Sequence, residues 1–242
     1  MTPLPIKMAF IPSAGLGTRL RPLTDNLPKG LVKVSGRPLI TYALEHLRSL
    51  GIEEVIINTH HASECWESAF PSKTWADIKI TFLHEPVCLE TGGGIKNAEI
   101  FFSDVDDFIV YNSDVISNVD LKELYDFHVS HNSLATLVLR SSGFPLQIIL
   151  SGDKRIKHIQ VSPDDEDTQR YLFTGIHILS QKCFALMQQG RIVSIVKYYM
   201  DWIKQERQIY GLALDNGFWH DLGTIEAIDK FENQSMWDNT YE

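Results

Sequence analysis

The chain has 242 residues, of which 44% are hydrophobic and 22% are charged, and its formal net charge is −9. This size allows one large domain or two small ones, and the negative charge argues against a surface that binds nucleic acid or an anionic membrane. No apolar run approaches the roughly 18 residues needed to cross a membrane, and the three cysteines lack a spacing typical of zinc ligands. We therefore expect a cytoplasmic protein with reduced thiols.

Strand-like and helix-like segments alternate through the first half of the chain. An apolar run at 8–13 predicts a strand that ends at a glycine-rich loop, and helical spacing of apolar residues predicts a helix at 38–51. Further strands are predicted at 54–58, 78–83 and 106–115, and a helix with Asp120 as its N-cap at 121–131. This order predicts a mainly parallel sheet with helices on both faces, whose ligands bind beyond the carboxyl ends of the strands.

The second half of the chain is richer in strand patterns. Strands are predicted at 134–140, 145–150, 155–161 and 171–179, and helical patterns at 181–189, at about 194–205 and from 224 onward. We expect residues 134–180 to form an antiparallel portion that closes the ligand site from the other side. Because no linker, repeat or low-complexity tract divides the chain, we expect a single α/β domain over residues 1–242.

The loop after the first predicted strand combines glycines with positive charge. Gly15 and Gly17 follow the strand, and residues 15–38 contain five basic residues against one acidic residue. Glycine lets backbone amides approach phosphate oxygens, and Arg19 offers a forked cation that suits them. The loop is neither a dinucleotide fingerprint, because residue 20 is Leu, nor a P-loop. It predicts a site for a small anion, with a tight turn and ordinary surface cations as the alternative.

The segment AGLGTRLRPLT…LPK, at residues 14–29, resembles the signature of the sugar-1-phosphate nucleotidylyltransferases, or NDP-sugar pyrophosphorylases. Later family motifs are matched in the family's order by LETGGGI at 89–95, YNSDV at 111–115, FTGIHIL at 173–179 and FWHDLGT at 218–224. The resemblance covers nearly the whole chain. It is greatest to the short bacterial branch that contains N-acetylmuramate-1-phosphate uridylyltransferase and mannose- or heptose-1-phosphate guanylyltransferases. It implies a Rossmann-like nucleotidyltransferase fold with a mixed, mainly parallel central sheet flanked by helices.

The resemblance also implies roles for individual residues. Arg19, Lys29, Asp114 and Asp221 would be catalytic, and the two aspartates would hold a catalytic Mg²⁺, a hard cation that prefers carboxylate oxygens. The nucleotide would be bordered by residues of the two glycine-rich segments, namely Ala14, Gly15, Gly17, Thr18, Glu90, Thr91, Gly92 and Gly93. The sugar would be bordered by Asn112 and Gly175.

Structural explanations remain open for several of these residues. Asp114 could end a strand at a turn, and Asp221 could make a local loop or helix-cap contact. The three glycines at 92–94 could form a flexible turn before a helix that begins near Ile95. Gly175 could mark a β-bulge. The chain also departs from longer relatives, because it has no Glu-Lys-Pro motif between residues 140 and 170 to bind the sugar phosphate.

The implied reaction joins an NTP and a sugar 1-phosphate to give an NDP-sugar and pyrophosphate. It proceeds by Mg-assisted in-line attack, in a pathway of nucleotide-sugar biosynthesis such as that of the cell wall. Our first choice of substrates is UTP with N-acetylmuramate 1-phosphate or a related amino-sugar phosphate, and the alternative is GTP with mannose or heptose 1-phosphate. A non-catalytic regulatory protein that binds a nucleotide or sugar is the alternative from another class. A homodimer is compatible with the resemblance, although no sequence feature establishes it.

Overall fold

The computed structural model describes residues 4–159 and 169–233. The end of the strand predicted at 155–161 lies outside these residues, as does the chain beyond residue 233. The helices are α1 (Ile40–Ser49), α2 (Glu64–Ala69), α3 (Glu90–Asn97), α4 (Leu121–Ser130), α5 (Ile195–Lys204) and α6 (Ile225–Asn233). Short 3-10 helices lie at Thr18–Leu20, Lys29–Leu31, Glu99–Phe102 and Gln181–Leu186. Within the described ranges, no helix is both long enough and apolar enough to cross a bilayer.

The strands follow the predicted pattern closely through the first half of the chain. They are β1 (Met8–Pro12), β2 (Lys33–Val34), β3 (Arg37–Pro38), β4 (Glu54–Thr59), β5 (Thr74–Trp75), β6 (Ile78–His84), β7 (Asp107–Tyr111), β8 (Val115–Ser117), β9 (Ala135–Arg140), β10 (Ile148–Leu150), β11 (Ile156–Ile159), β12 (Arg170–Ser180), β13 (Ile209–Ala213) and β14 (Trp219–Asp221). The predicted N-cap of α4 is present, because the Asp120 carboxylate accepts a hydrogen bond from the Lys122 N–H at 2.8 Å.

Ten of the described strands form one mixed sheet. Its order is β11-β10-β12-β7-β1-β4-β6-β5, and β9 pairs with both β12 and β13. The central strands β7, β1, β4 and β6 run parallel, whereas β9 to β12 pair antiparallel as predicted. The predicted fold class is therefore confirmed. Several strands were not predicted. Most of these have two or three residues, and the longest is β13, which lies parallel to β9 and whose apolar pattern is interrupted by Gly211.

Side chains alternate between the two faces of the sheet and are covered by helices on both. In β1, Ala9 and Ile11 join a core cluster that includes apolar residues of α1 and α4. Phe10 points the other way and joins a second cluster beneath α3 and α5. Because both faces are buried, the central strands are apolar throughout, as is typical of a parallel sheet.

The open edge of the sheet is formed by the carboxyl ends of its parallel strands. The glycine-rich loop at 13–17 leaves β1 at this edge, and Asn112 leaves β7 beside it. The β8–β14 ribbon lies next to them, supported by a third apolar cluster that contains Leu20, Ile116 and Leu222. The fold thereby brings the sequence motifs to a single edge.

The start of α3 differs from the prediction of a helix that begins near Ile95. The helix begins at Glu90, so the three glycines lie inside its first turns. Glycine disfavours a helix, but the Gly92 and Gly93 amides both donate to the Val193 carbonyl, at 2.9 and 3.0 Å. A Cβ on Gly92 would lie only 2.8 Å from that oxygen. Close packing against the chain before α5 therefore outweighs local propensity, and the three glycines do not form the flexible turn that was left open as the alternative.

We predict that Gly92→Ala lowers the free energy of unfolding. Overpacking against the Val193 carbonyl costs about 1–3 kcal/mol, whereas better helix propensity returns only about 1 kcal/mol. Urea denaturation measures the change. Gly152→Ala is the matched control, because a Cβ there meets no atom within 4 Å. Equal stability of the two variants would contradict the packing argument.

Candidate functional site

A cavity of about 360 Å³ opens at the carboxyl edge of the parallel strands. Six predicted site residues from separate segments of the chain line it, namely Ala14, Gly15, Lys29, Glu90, Thr91 and Asn112. Three residues that the sequence interpretation missed also line it: Asn58, Cys88 and Ser194. The sequence could have indicated Asn58 as a site residue, because it is a polar residue at the end of a buried strand.

The two glycines of the first glycine-rich loop have different roles in its shape. Gly17 has a φ of +60° and accepts a hydrogen bond on its carbonyl from Thr24 Oγ1 at 2.8 Å. A Cβ on Gly17 would lie 2.9 Å from Thr24 Cγ2, whereas one on Gly15 would meet nothing within 4 Å. Thr18 then begins the short helix that carries Arg19. The turn therefore depends on Gly17, while Gly15 faces the open cavity.

Pairing of β8 with β14 brings together two carboxylates that are distant in sequence. Asp221 lies opposite Val115 in this ribbon, and the Leu222 N–H donates to the Asp114 carbonyl at 2.8 Å. A Cβ built on Gly223 would lie 2.5 Å from Arg19 Nη2, 2.9 Å from Asp221 Oδ1 and 3.0 Å from Asp114 Oδ2. One guanidinium and two carboxylates therefore converge on a point that is left free because residue 223 has no side chain.

Two cations, Arg19 and Lys29, lie beside these two carboxylates. Lys29 Nζ lies 2.9 Å from Asp114 Oδ2, and the Asp114 side chain is 5% exposed. Desolvation by the surrounding protein and, second, the negative charge of Asp114 raise the pKa of Asp221. The residue as a whole is nevertheless exposed to solvent. The Gly223 N–H at 2.8 Å, Arg19 and Lys29 oppose that rise in pKa. The pKa of Asp221 nevertheless stays raised, because burial and the Asp114 carboxylate together outweigh these groups.

The two carboxylates fit a divalent cation. Mg²⁺ is commonly bound by one or two carboxylates together with water and substrate phosphates, and a bound cation would relieve the repulsion between Asp114 and Asp221. Elsewhere in the described part of the chain, as here, no group of three or more His, Cys, Asp or Glu side chains could hold a metal ion. Other ligands of Mg²⁺ at Asp114 and Asp221 would therefore come from water and substrate.

Asn112, which lines the cavity, lies directly against Gly175. The Asn112 N–H donates to the Gly175 carbonyl at 3.1 Å, and a Cβ on Gly175 would clash with the Asn112 amide. Gly175 has a φ of +81° and lies at a register shift between β12 and β9. A local irregularity of β12, of the kind considered for Gly175, is therefore present, and the lack of a side chain allows Asn112 to approach the strand.

Two predicted nucleotide-binding residues face away from the cavity. The Gly92 and Gly93 amides are already bound to the Val193 carbonyl, and packing against residues 191–193 explains why both are glycine. Glu90 and Thr91, at the start of the same helix, do line the cavity. Of the residues predicted in this segment, Glu90 and Thr91 are therefore the two that the structure places at the cavity.

Comparisons with known proteins agree on the type of fold and family. A family model described as nucleotidyl transferase matches residues 8–236. Mannose-1-phosphate guanylyltransferase of Mycobacterium tuberculosis is 31% identical over 223 residues, which cover 90% of this chain and 61% of that protein. Mannose-1-phosphate guanyltransferase of Saccharomyces cerevisiae is 32% identical over 215 residues, covering 86% and 59%. The chain therefore spans about three fifths of the length of these relatives.

A solved structure shares the fold at lower sequence identity. HddC from Yersinia pseudotuberculosis, complexed with GMP-PN, superposes with a TM-score of 0.77 at 21% identity, over 94% of this chain and 98% of that one. The likeness extends over nearly the whole of both chains, including the parallel strands whose carboxyl ends border the cavity.

We predict that Asp114→Asn lowers the pKa of Asp221. The substitution removes the negative charge that helps to raise this pKa and leaves the positive charges of Arg19 and Lys29 in place. A pH titration followed by carboxyl-carbon NMR measures the shift. Asp229→Asn, on the exposed face of α6, is the control that should leave it unchanged. An unchanged or higher pKa in Asp114→Asn would show that the two carboxylates do not interact.

Proposed function

The chain belongs to the nucleotidyl transferase family, and we propose that it transfers a nucleoside monophosphate from an NTP to a sugar 1-phosphate, with release of pyrophosphate. The family assignment made from its motifs is confirmed. The observation that carries the proposed reaction is the convergence of Arg19, Asp114 and Asp221 beside Lys29 and the cavity. Both substrates are polyanions, so their repulsion must be balanced by fixed cations and a metal.

For the substrates, we propose GTP with mannose 1-phosphate or a heptose-type analogue. This proposal is supported by curated relatives at 31% and 32% identity, which are named mannose-1-phosphate guanylyltransferase or guanyltransferase. They favour the guanylyl alternative over our first choice from the sequence, UTP with N-acetylmuramate 1-phosphate.

The proposed mechanism assigns the phosphates to the basic side of the site. Arg19 would bind the β- and γ-phosphates, and Lys29 would neutralise the α-phosphate or the attacking phosphate. Ala14, Gly15, Gly17 and Thr18 would surround the triphosphate through the backbone. Mg²⁺, held by Asp114 and Asp221, would polarise the phosphoryl oxygens and stabilise the leaving pyrophosphate.

On the remaining sides, protein groups would position the two substrates. Glu90 and Thr91 would border the nucleoside, and Asn112 and Gly175 would border the sugar. An oxygen of the sugar phosphate attacks the α-phosphorus in line, so one P–O bond forms as the bond to the β-phosphate bridging oxygen breaks. Because this nucleophile is already an ionised phosphate, the reaction needs no strong general base and no covalent enzyme intermediate.

Pyrophosphate release tests the proposed reaction and its substrates together. We predict Mg²⁺-dependent release with GTP and mannose 1-phosphate that exceeds release with the other three NTPs. The sugar panel includes heptose 1-phosphate and N-acetylmuramate 1-phosphate. Release with UTP and the amino-sugar phosphate alone would restore our first choice. Nucleotide binding without release from any pair would favour the non-catalytic alternative.

Two variants assign the activity to the described site. Asp114→Asn and Asp221→Asn should each lower kcat by about a hundredfold or more, because the metal loses a charged ligand. Asp229→Asn removes the same charge from the exposed face of α6 and should keep full activity. Activity that survives in both site variants would contradict the assignment of the metal.

A further inference from the structure

A buried chain of hydrogen bonds connects the two glycine-rich segments beneath the cavity. The Ser13 N–H donates to Asn58 Oδ1 at 2.7 Å, and Asn58 Nδ2 donates to Glu85 Oε1 at 2.8 Å. Glu85 Oε2 accepts the Leu89 N–H at 3.0 Å. The network of hydrogen bonds therefore runs from the first residue of the glycine-rich loop (13–17) to the residue before α3. Asn58 is 2% exposed and Glu85 is fully buried.

Asn58 and Glu85, in the middle of this network, lie at the carboxyl ends of two neighbouring strands. Asn58 lies near the carboxyl end of β4, and Glu85 directly follows the neighbouring parallel strand β6. The Glu85 N–H donates to the Thr59 carbonyl at 2.7 Å, and a ring nitrogen of His60 bonds to the Glu85 carbonyl at the same distance. The N–H and the carbonyl of Glu85 are therefore both hydrogen-bonded, as are its two carboxylate oxygens. Backbone and side chain of Glu85 are thus held in one arrangement.

The third glycine of α3 provides the space for this buried pair. A Cβ on Gly94 would lie 2.5 Å from Asn58 Nδ2 and 2.8 Å from Glu85 Oε1. Burial of a carboxylate is costly unless its oxygens are hydrogen-bonded, and here each oxygen has a donor. Satisfied buried networks hold their groups in one arrangement. Gly94 is therefore explained by the Asn58–Glu85 pair, just as Gly92 is explained by the Val193 carbonyl and Gly93 by the Arg191 carbonyl.

We propose that Asn58 and Glu85 are positioning residues that set the separation between the glycine loop and the start of α3, and so control the affinity for the nucleotide. The cavity lies between these two segments, with Ala14 and Gly15 on one side and Glu90 and Thr91 on the other. Asn58 also lines the cavity, and its amide oxygen and nitrogen each make the bond inside the protein that joins the two segments. The inference rests on the proposed function, because it takes the ligand of the cavity to be an NTP.

Single substitutions should weaken nucleotide binding with a smaller effect on turnover. Asn58→Asp places a second carboxylate against Glu85, and Glu85→Gln presents an amide N–H where the network needs an acceptor. We expect each to raise the KM for GTP about tenfold or more, since a buried polar group loses its partner. A purely structural role would instead reduce the fraction of folded enzyme, which lowers the apparent kcat and leaves KM unchanged.

The double variant Asn58→Asp with Glu85→Gln tests the network itself. Asp at 58 can accept from both Ser13 N–H and the new Gln amide, and the Gln carbonyl can accept from Leu89 N–H. Each hydrogen bond is then retained with one donor and acceptor exchanged, and the net charge is that of the wild type. We expect KM to return to within about threefold of the wild-type value, because the same number of bonds is satisfied.

Asp107→Ala is the matched control for a buried polar contact away from the cavity. It removes the acceptor that lies 3.2 Å from His128 Nε2, at the amino end of β7. It should lower the melting temperature without changing KM. Single variants with unchanged KM, or a double variant no better than the singles combined, would overturn the positioning role.

The same variants separate this inference from the proposed reaction. If the wild type binds Mg·GTP in calorimetry but releases no pyrophosphate, the proposed reaction fails. The positioning role then predicts the same order of Kd values, with both single variants weak and the double variant restored. A wild type that binds no nucleotide would overturn both.

Discussion

Two carboxylates held close together at one edge of the sheet are the constraint on which this site depends. The β8–β14 ribbon fixes the backbone of Asp114 and Asp221, since the Leu222 N–H is bonded to the Asp114 carbonyl. The pairing keeps the two residues adjacent, and burial together with the negative charge of Asp114 raises the pKa of Asp221. Perturbed carboxylates of this kind cluster at functional sites, where a substrate or a metal completes the balance of charge.

Two basic side chains lie beside the carboxylates, and space remains next to them for a ligand. Lys29 pairs with Asp114, and Arg19 reaches the same point from the glycine loop. These cations belong to a segment with five basic residues in a chain whose net charge is −9. Gly223 keeps the point of convergence free of side-chain atoms. The result is a local field that attracts both a divalent cation and the phosphates that would accompany it.

The architecture could be predicted from the sequence, but the closest contacts of the site could not. Apolar runs with turn signals between them placed the central strands, because a sheet buried on both faces requires them. The approach of Asp114 to Asp221 came only from family resemblance, since their spacing carries no information about ribbon pairing. The start of α3 was misplaced because a tertiary contact of Gly92 overrode helix propensity. Asn58 and Glu85 were missed, although polar residues at neighbouring strand ends are a readable signal.

A crystal structure of the chain with Mg²⁺ and GTP would test most directly the claim that this convergence of charges is a triphosphate and metal site. We expect electron density for the metal between Asp114 and Asp221. We also expect the triphosphate against the glycine loop, with Arg19 on its outer phosphates. A triphosphate bound elsewhere, or a metal that contacts neither aspartate, would contradict this claim.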